Sequence, residues 1–251
     1  MSWMKRGACI AGLVALVLAD GAWAAGGQVP LLEAKVELGD RASLQRGAKL
    51  FVNYCAGCHS AQFVRYSRMG RDLGLTEEQV RANLMFASDK PGDPILATLG
   101  AEDANAWFGV VPPDLSLTAR ARGPDWIYTY LMTFYRDENR PFGANNLVYP
   151  DVAMPHALVD LQGVQARKEN AGEDGHAAPR GAGDLLELVE PGSMSVAEYR
   201  RVVRDLVNFM VYIGEPAKLD RYVIGGWVLL FLLVFFVIAW LLYKEYWKDV
   251  H

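Results

Sequence analysis

Residues 222–243 read YVIGGWVLLFLLVFFVIAWLLY, 22 residues without a charge. At a rise of about 1.5 Å per residue, a helix of that length crosses the ~30 Å hydrocarbon core of a bilayer. Tyr222 and Trp227 sit near one end of the run, and Trp240, Tyr243, Tyr246 and Trp247 near the other. Amphipathic rings favour those two interfaces. A helix buried in a soluble core would keep a polar face, and this one has none. The chain is therefore expected to be tethered, with a membrane anchor at 222–243 and a short tail at 244–251.

The other end carries a second apolar run of a different kind. Lys5 and Arg6 precede an apolar stretch from Ile10 to Ala19, and Ala22-Trp23-Ala24 follows as a small-x-small cleavage pattern. This reads as a signal peptide over residues 1–24. Leader and late anchor together leave residues 25–221 as an exported domain. Lys218 and Arg221 balance Lys244 and Lys248 across the span, so the leader sets the orientation.

Export gives the cysteine count its weight. Cys9 departs with the leader, and Cys55 and Cys58 are the two that remain. An exported domain of this size with one CxxC pair is not a disulfide scaffold. Losing Lys5, Arg6 and Asp20 leaves 23 basic and 28 acidic residues, a net charge of −5. That charge disfavours nucleic acid and suits a basic protein partner.

Helices punctuate the exported domain. Asp40 caps an apolar face of Leu44, Gly47, Ala48, Phe51 and Val52 that runs into Cys55. Thr76 and Gln79 form a capping box. Pro124 opens a third helix with Trp126, Ile127, Tyr130, Leu131 and Phe134 on one face. Ser195 and Glu198 box the last soluble helix, which Gly214 and Pro216 stop. Residues 88–116 and 136–156 are proline-bearing loops, and 160–193 reads as a glycine-rich, charged excursion outside the core. No alternating pattern is strong enough to build a sheet. So few helices leave the domain short of regular core, a deficit that a large bound cofactor would fill.

CAGCH at 55–59 decides which cofactor. A structural zinc site needs four protein ligands, and His156, His176 and His251 offer no second pair at ligand spacing. A redox dithiol belongs at the start of a helix in a βαβ unit, whereas this pair follows a helix. Haem attachment fits: Cys55 and Cys58 add to two vinyl groups, and His59 is placed as proximal iron ligand. Small Ala56 and Gly57 allow the tight turn. One motif means one haem c. For the sixth ligand, Met132 and Met210 belong to apolar helices, and Met69 and Met85 are close to the attachment segment. Met154 sits in the proline-flanked loop VYPDVAMPHAL, with His156 two residues on as rival, read as an exposed loop histidine. An iron closed by histidine and methionine transfers electrons.

Several segments together resemble the cytochrome c1 family: QRGAKLFVNYCAGCHS at 45–60, VPPDLSLTARAR at 111–122, PDWIYTYL at 124–131, VYPDVAMPHAL at 148–158 and SMSVAEYRRVVRDLVNFMVYIGEP at 193–216. The resemblance implies a mainly α c-type cytochrome fold with long loops and one C-terminal transmembrane helix. It implies that Met154 is the sixth ligand, that Arg120 pairs with a haem propionate, and that Pro112 and Pro113 line the pocket. The implied partners are cytochrome b, a Rieske iron–sulfur protein as donor and a soluble basic c-type cytochrome as acceptor, in a dimeric quinol:cytochrome c oxidoreductase (cytochrome bc1) complex. The implied place is a bacterial inner membrane, single-pass, with the haem domain in the periplasm. Such a chain relays electrons and is no catalyst alone. The family's AMAPP reads AMPH here, so nothing carries over to His156. Some bacterial relatives brace the methionine loop with a disulfide; with Cys55 and Cys58 committed, rigidity around Met154 must come from packing. Two rival readings are a membrane-anchored monohaem cytochrome donating to a terminal oxidase, and a haem enzyme or sensor with an open iron site.

Overall fold

The computed structural model describes residues 29–168 and 181–249. The leader expected at 1–24 and the acidic stretch around Glu169, Glu173 and Asp174 lie outside the described residues. The elements run α1 (Arg41–Tyr54), β1 (Ala61–Arg65), α2 (Tyr66–Leu73), α3 (Glu77–Asn83), β2 (Pro94–Ile95), α4 (Ala101–Phe108), α5 (Thr118–Arg122), α6 (Pro124–Met132), β3 (Phe134–Arg136), β4 (Ala144–Asn146), α7 (Val159–Gln162), β5 (Gly163–Arg167), a 3-10 turn (Ala182–Leu185), β6 (Leu186–Pro191), α8 (Val196–Gly214) and α9 (Lys218–Tyr246).

The core is built where α1 crosses α8. Asp40 caps α1 by accepting from the Ser43 N–H at 3.0 Å, and Leu44, Gly47, Ala48 and Phe51 form the buried face that the spacing predicts. Phe51 meets Phe209 with ring centroids 5.5 Å apart, and both are fully buried. Burying each such ring is worth about 2–3 kcal/mol. The two backbones can come this close because residue 47 has no side chain. A Cβ there would lie 2.1 Å from the Asp205 carbonyl oxygen and 2.6 Å from Phe209 Cβ.

A polar network fixes the register of the same crossing. Asp205 accepts from Ser43 Oγ at 2.6 Å, and from Arg46 through Nε at 2.6 Å and Nη2 at 3.0 Å. Asn208 donates to Ser43 Oγ at 3.0 Å and exchanges two bonds with the backbone of Glu37. Each group finds a partner, so burial of these atoms carries little penalty. The helix α6 joins the core through Tyr199, whose hydroxyl donates to the Leu131 carbonyl at 2.8 Å.

The expected capping boxes at Thr76 and Ser195 and the proline at the first turn of α6 are all present. Two expectations fail. The chain does form strands, in three two-stranded antiparallel ribbons, β1–β2, β3–β4 and β5–β6. Strands of two to six residues are too short to print an alternating pattern. The segment 160–193 is likewise no mere excursion: its two arms pair as β5–β6, from Gly163↔Pro191 to Arg167↔Leu186. It is buried at both ends, at Leu161 and Gln162 beside its base and at Ala182 and Leu186 by its far end. Gly163, with φ of 90°, is required there, because a Cβ would lie 2.2 Å from the Glu190 carbonyl oxygen.

The last helix, α9, leaves the head. An 18-residue stretch within Asp220–Tyr246 reaches a mean hydropathy of 2.7, and none of that stretch is buried against the protein. This is the helix the uncharged run predicts, extended by a few residues at each end.

Candidate haem site

The end of α1 is a compact turn. Cys55 and Ala56 both donate N–H bonds to the Phe51 carbonyl at 2.9 Å, and Cys58 and His59 donate to the Cys55 carbonyl at 3.1 and 2.8 Å. Both cysteines are free thiols. Desolvation pushes the Cys55 thiol up to about 12, so it stays protonated. Ala56 is buried, whereas a side chain at residue 57 would meet nothing within 4 Å. The tightness of the turn thus rests on Ala56 and not on Gly57.

His59 Nδ1 lies 2.8 Å from the Pro113 carbonyl oxygen. A carbonyl can only accept, so Nδ1 carries the hydrogen and Nε2 keeps its lone pair for a metal. Desolvation also lowers the pKa of the ring, which favours the neutral imidazole that ligation needs. The PPDLS segment does more than offer that carbonyl. Asp114 accepts from the Gln62 N–H at 2.9 Å, Ser116 Oγ from the Phe63 N–H at 3.2 Å, and the Leu115 N–H donates to the Ser60 carbonyl at 2.8 Å. Ser60 Oγ accepts from Ala97 and the Gly57 carbonyl from Leu99, so two remote segments are stitched to the attachment turn. Pro113 therefore holds His59 through its carbonyl, and Pro112 beside it is half-buried.

Met154 is held elsewhere. Met69, Met85, Met132 and Met210 are buried in the core and Met194 packs against it, while Met154 stands apart from that cluster. Its sulfur accepts from the Tyr130 hydroxyl at 3.2 Å. Burial holds the Tyr130 phenol well above its ordinary pKa, so it remains a donor. Tyr130 stacks on Trp126 at 5.3 Å and 8°, one helical turn back, and Arg122 lies over Trp126 at 5.1 Å.

The loop before Met154 is tied down by side-chain amides and one guanidinium. Asn146 Oδ1 accepts from the N–H groups of Val148 and Tyr149, Asn146 Nδ2 donates to the Tyr130 carbonyl at 2.7 Å, and Asn145 Oδ1 accepts from the Asp151 N–H. Arg140 reaches Asp151 Oδ1 at 3.0 Å and the Asp151 carbonyl at 2.6 Å. Asp151 needs that support, because its φ of 60° is unfavourable for any residue but glycine. After Met154, His156 is not the exposed loop histidine that the sequence suggests. It is half-buried with its ring stacked on Phe134 at 4.8 Å and 2°.

Arg120 faces away from these aromatics. Residues two apart on a helix point to different sides, so Arg122 meets Trp126 while Arg120 stands 3.8 Å from Glu215. Glu215 also pairs with Arg221 at 2.5 Å. The two arginines thus share one carboxylate at the junction of head and anchor, on the rim of a cavity of about 410 Å3 lined also by Lys218 and Tyr222.

These residues fit a covalently bound haem. Two free thiols, an imidazole with a defined tautomer and a thioether outside the core supply the full donor set. Leu96, Val110, Val111 and Leu117 lie on the segments stitched to the attachment turn and keep 48–49% of their surface exposed, apolar area that a flat macrocycle would cover. Residues missed from the sequence are Tyr130, Arg140, Asn145 and Asn146. The i, i+4 pair Trp126–Tyr130 carried the one available signal, an aromatic face with a polar tip.

The chain is similar to known proteins along nearly its whole length. Residues 33–250 match the model of the Cytochrome C1 family, a span that includes every residue of this site. The cytochrome c1 of Allochromatium vinosum is 53% identical over 91% of this chain and 93% of its own. A Nitrosomonas europaea protein named ammonia monooxygenase gamma subunit is 47% identical over 95% of this chain and 97% of its own. Among solved structures, a chain of a hyperthermophilic respiratory Complex III aligns over all of both chains with a TM-score of 0.50 and 17% identity, which bears on fold alone. On the family match and the Allochromatium vinosum likeness together, the chain belongs to the cytochrome c1 family.

Proposed function

We propose that the head is a fixed one-electron relay whose iron sits between His59 and Met154. Membership of the family makes the chain a membrane-anchored electron-transfer subunit of the cytochrome bc1 complex, with one covalently bound haem c. When bound, that haem supplies reversible Fe(III)/Fe(II) chemistry. Cys55 and Cys58 attach it. His59 presents Nε2, aimed by the bond from Nδ1 to Pro113. Tyr130 holds the Met154 sulfur, which would serve as the second iron ligand and so would close the iron to substrate. Arg120 keeps 57% of its side chain exposed beside Glu215, and its free donors suit a propionate.

The observation that carries this reading is the Tyr130–Met154 bond, since it takes one methionine sulfur out of the packing and points it by a specific donor. The test is the ferric spectrum of the full chain. Its far-red charge-transfer band, the mark of thioether ligation, should vanish in Met154→Leu, and the reduced variant should bind carbon monoxide rapidly. A band that survives Met154→Leu assigns the sixth position to another residue.

The finer partners belong to the same proposal. Electrons arrive from a Rieske iron–sulfur protein and leave for a soluble basic c-type cytochrome, beside cytochrome b in a dimeric complex, with the head in the periplasm. The leader-like N-terminus, the long apolar helix α9 and the net negative charge support that arrangement. Protease added to intact spheroplasts should clip the head. Protection of the head would reverse the orientation.

A further inference from the structure

His156 Nε2 and Gln162 Oε1 are both buried, and neither makes a hydrogen bond of good geometry. The two side chains are near enough to interact, and the imidazole can donate where the amide oxygen accepts. The other polar end of Gln162 is committed, as Nε2 donates to the Met132 carbonyl at 3.0 Å. Gln165 donates to that same carbonyl and to the Phe134 carbonyl. Gln162 thus hangs from the end of α6, and Gln165 ties that same point to the start of β3.

The ring of His156 rests on the same floor. It lies flat on Phe134, and Phe134 meets Tyr130 edge-on at 5.1 Å and 72°. Tyr130 is the donor to Met154. Between His156 and Met154 stands Pro155, whose fixed φ leaves little slack. Upstream of Met154 the loop is pinned by Arg140, Asn145 and Asn146. Downstream, the His156 side chain provides the corresponding hold.

We propose that His156 is a positioning residue for Met154: stacked flat on Phe134, with its buried imidazole edge facing Gln162, it pins the downstream end of the methionine loop and keeps the thioether aimed at the iron. This rests on Met154 being the sixth ligand, and the two ideas fail separately. Losing the stack and the polar contact with Gln162 should make the thioether about tenfold or more easier to displace.

The experiment titrates imidazole into the ferric, haem-loaded full chain in detergent and follows the far-red band. In His156→Ala the band should be present without imidazole, and the imidazole midpoint should fall by roughly tenfold or more. His156→Phe keeps a ring on Phe134 but not the polar contact with Gln162, and its midpoint should fall about threefold to tenfold. That variant preserves the packed volume and decides the matter if His156→Ala does not fold. A midpoint within about twofold of the parent in His156→Phe, with the band lost in Met154→Leu, overturns the positioning role and leaves the ligand assignment standing. A band that persists in Met154→Leu overturns the ligand assignment, and the positioning role with it. A lower unfolding temperature in the His156 variants with an unmoved imidazole midpoint marks a purely structural residue and also overturns the proposal.

Discussion

His59 hangs from the end of a helix whose inner face is hydrocarbon; Met154 hangs from a loop whose inner face is amide and guanidinium. Behind His59 lie Phe51, Phe209, Leu206 and Ala48, all fully buried. Behind Met154 lie Asn145, Asn146 and Arg140, which bond to backbone atoms of the loop itself. Apolar packing is cooperative, so the first support can be lost only with the head. Side-chain-to-backbone bonds can open locally and leave the core intact. The attachment side should therefore behave as part of the global fold and the methionine side as a separable unit.

The largest effect that bears on this contrast is expected from Gly47→Val. Its new Cβ must displace the Asp205 carbonyl and Phe209, and spreading α1 from α8 also strains the Ser43–Asp205–Asn208 bonds. Overpacking with a broken polar network costs about 3 kcal/mol or more. For a head of this size that lowers the melting temperature by roughly 6–12 °C. The far-red band and the circular dichroism of the helices should disappear in one transition. Two separated transitions would mean that the attachment side is not tied to the global fold.

Arg140→Ala tests the other half and should do the reverse. It removes the bonds to Asp151 Oδ1 and to the Asp151 carbonyl, and leaves Asp151 in its left-handed conformation without that hold. The loop should lose about 1–2 kcal/mol, and the thioether should be displaced by imidazole about tenfold more readily. Helical melting should move by no more than a few degrees, since Arg140 touches none of the α1–α8 crossing. A large drop in melting temperature would erase the distinction between the two regions.

The same division explains what could be read from the sequence. Along α1, α3 and α8 each property that matters is local: Asp40, Thr76 and Ser195 cap their helices, and apolar residues recur at helical spacing. CAGCH and the uncharged run of α9 are likewise contiguous. What escaped detection is bonding between residues distant in sequence. Asp205 needs Ser43 and Arg46 from 162 and 159 positions away, and on their own these look like surface polar residues. Asn145, Asn146 and Arg140 read as ordinary loop composition until the loop closes over them. His156 was misread for the same reason, because the sequence does not show that Phe134 lies beneath its ring. The hairpin within 160–193 was hidden by the glycines and charges that surround its short strands.

The smallest effect probes the bond where the two supports meet the chemistry. Tyr130→Phe deletes the hydroxyl that donates to Met154 and leaves the stack on Trp126 in place. A donor on the sulfur draws electron density from the thioether, which makes it a poorer partner for Fe(III) than for Fe(II). Its removal should favour the oxidised form, so the reduction potential should fall. If the bond is worth 0.5–1 kcal/mol more in the reduced state, the fall is about 20–45 mV for one electron. The far-red band should remain, because Arg140, Asn145 and Asn146 still hold the loop. Redox titration of the variant against the parent reads this directly. A potential within about 10 mV of the parent would mean that the phenol is not bonded to the sulfur once the iron takes it. Loss of the band would mean that the hydroxyl, and not the amide network, is what keeps Met154 in place.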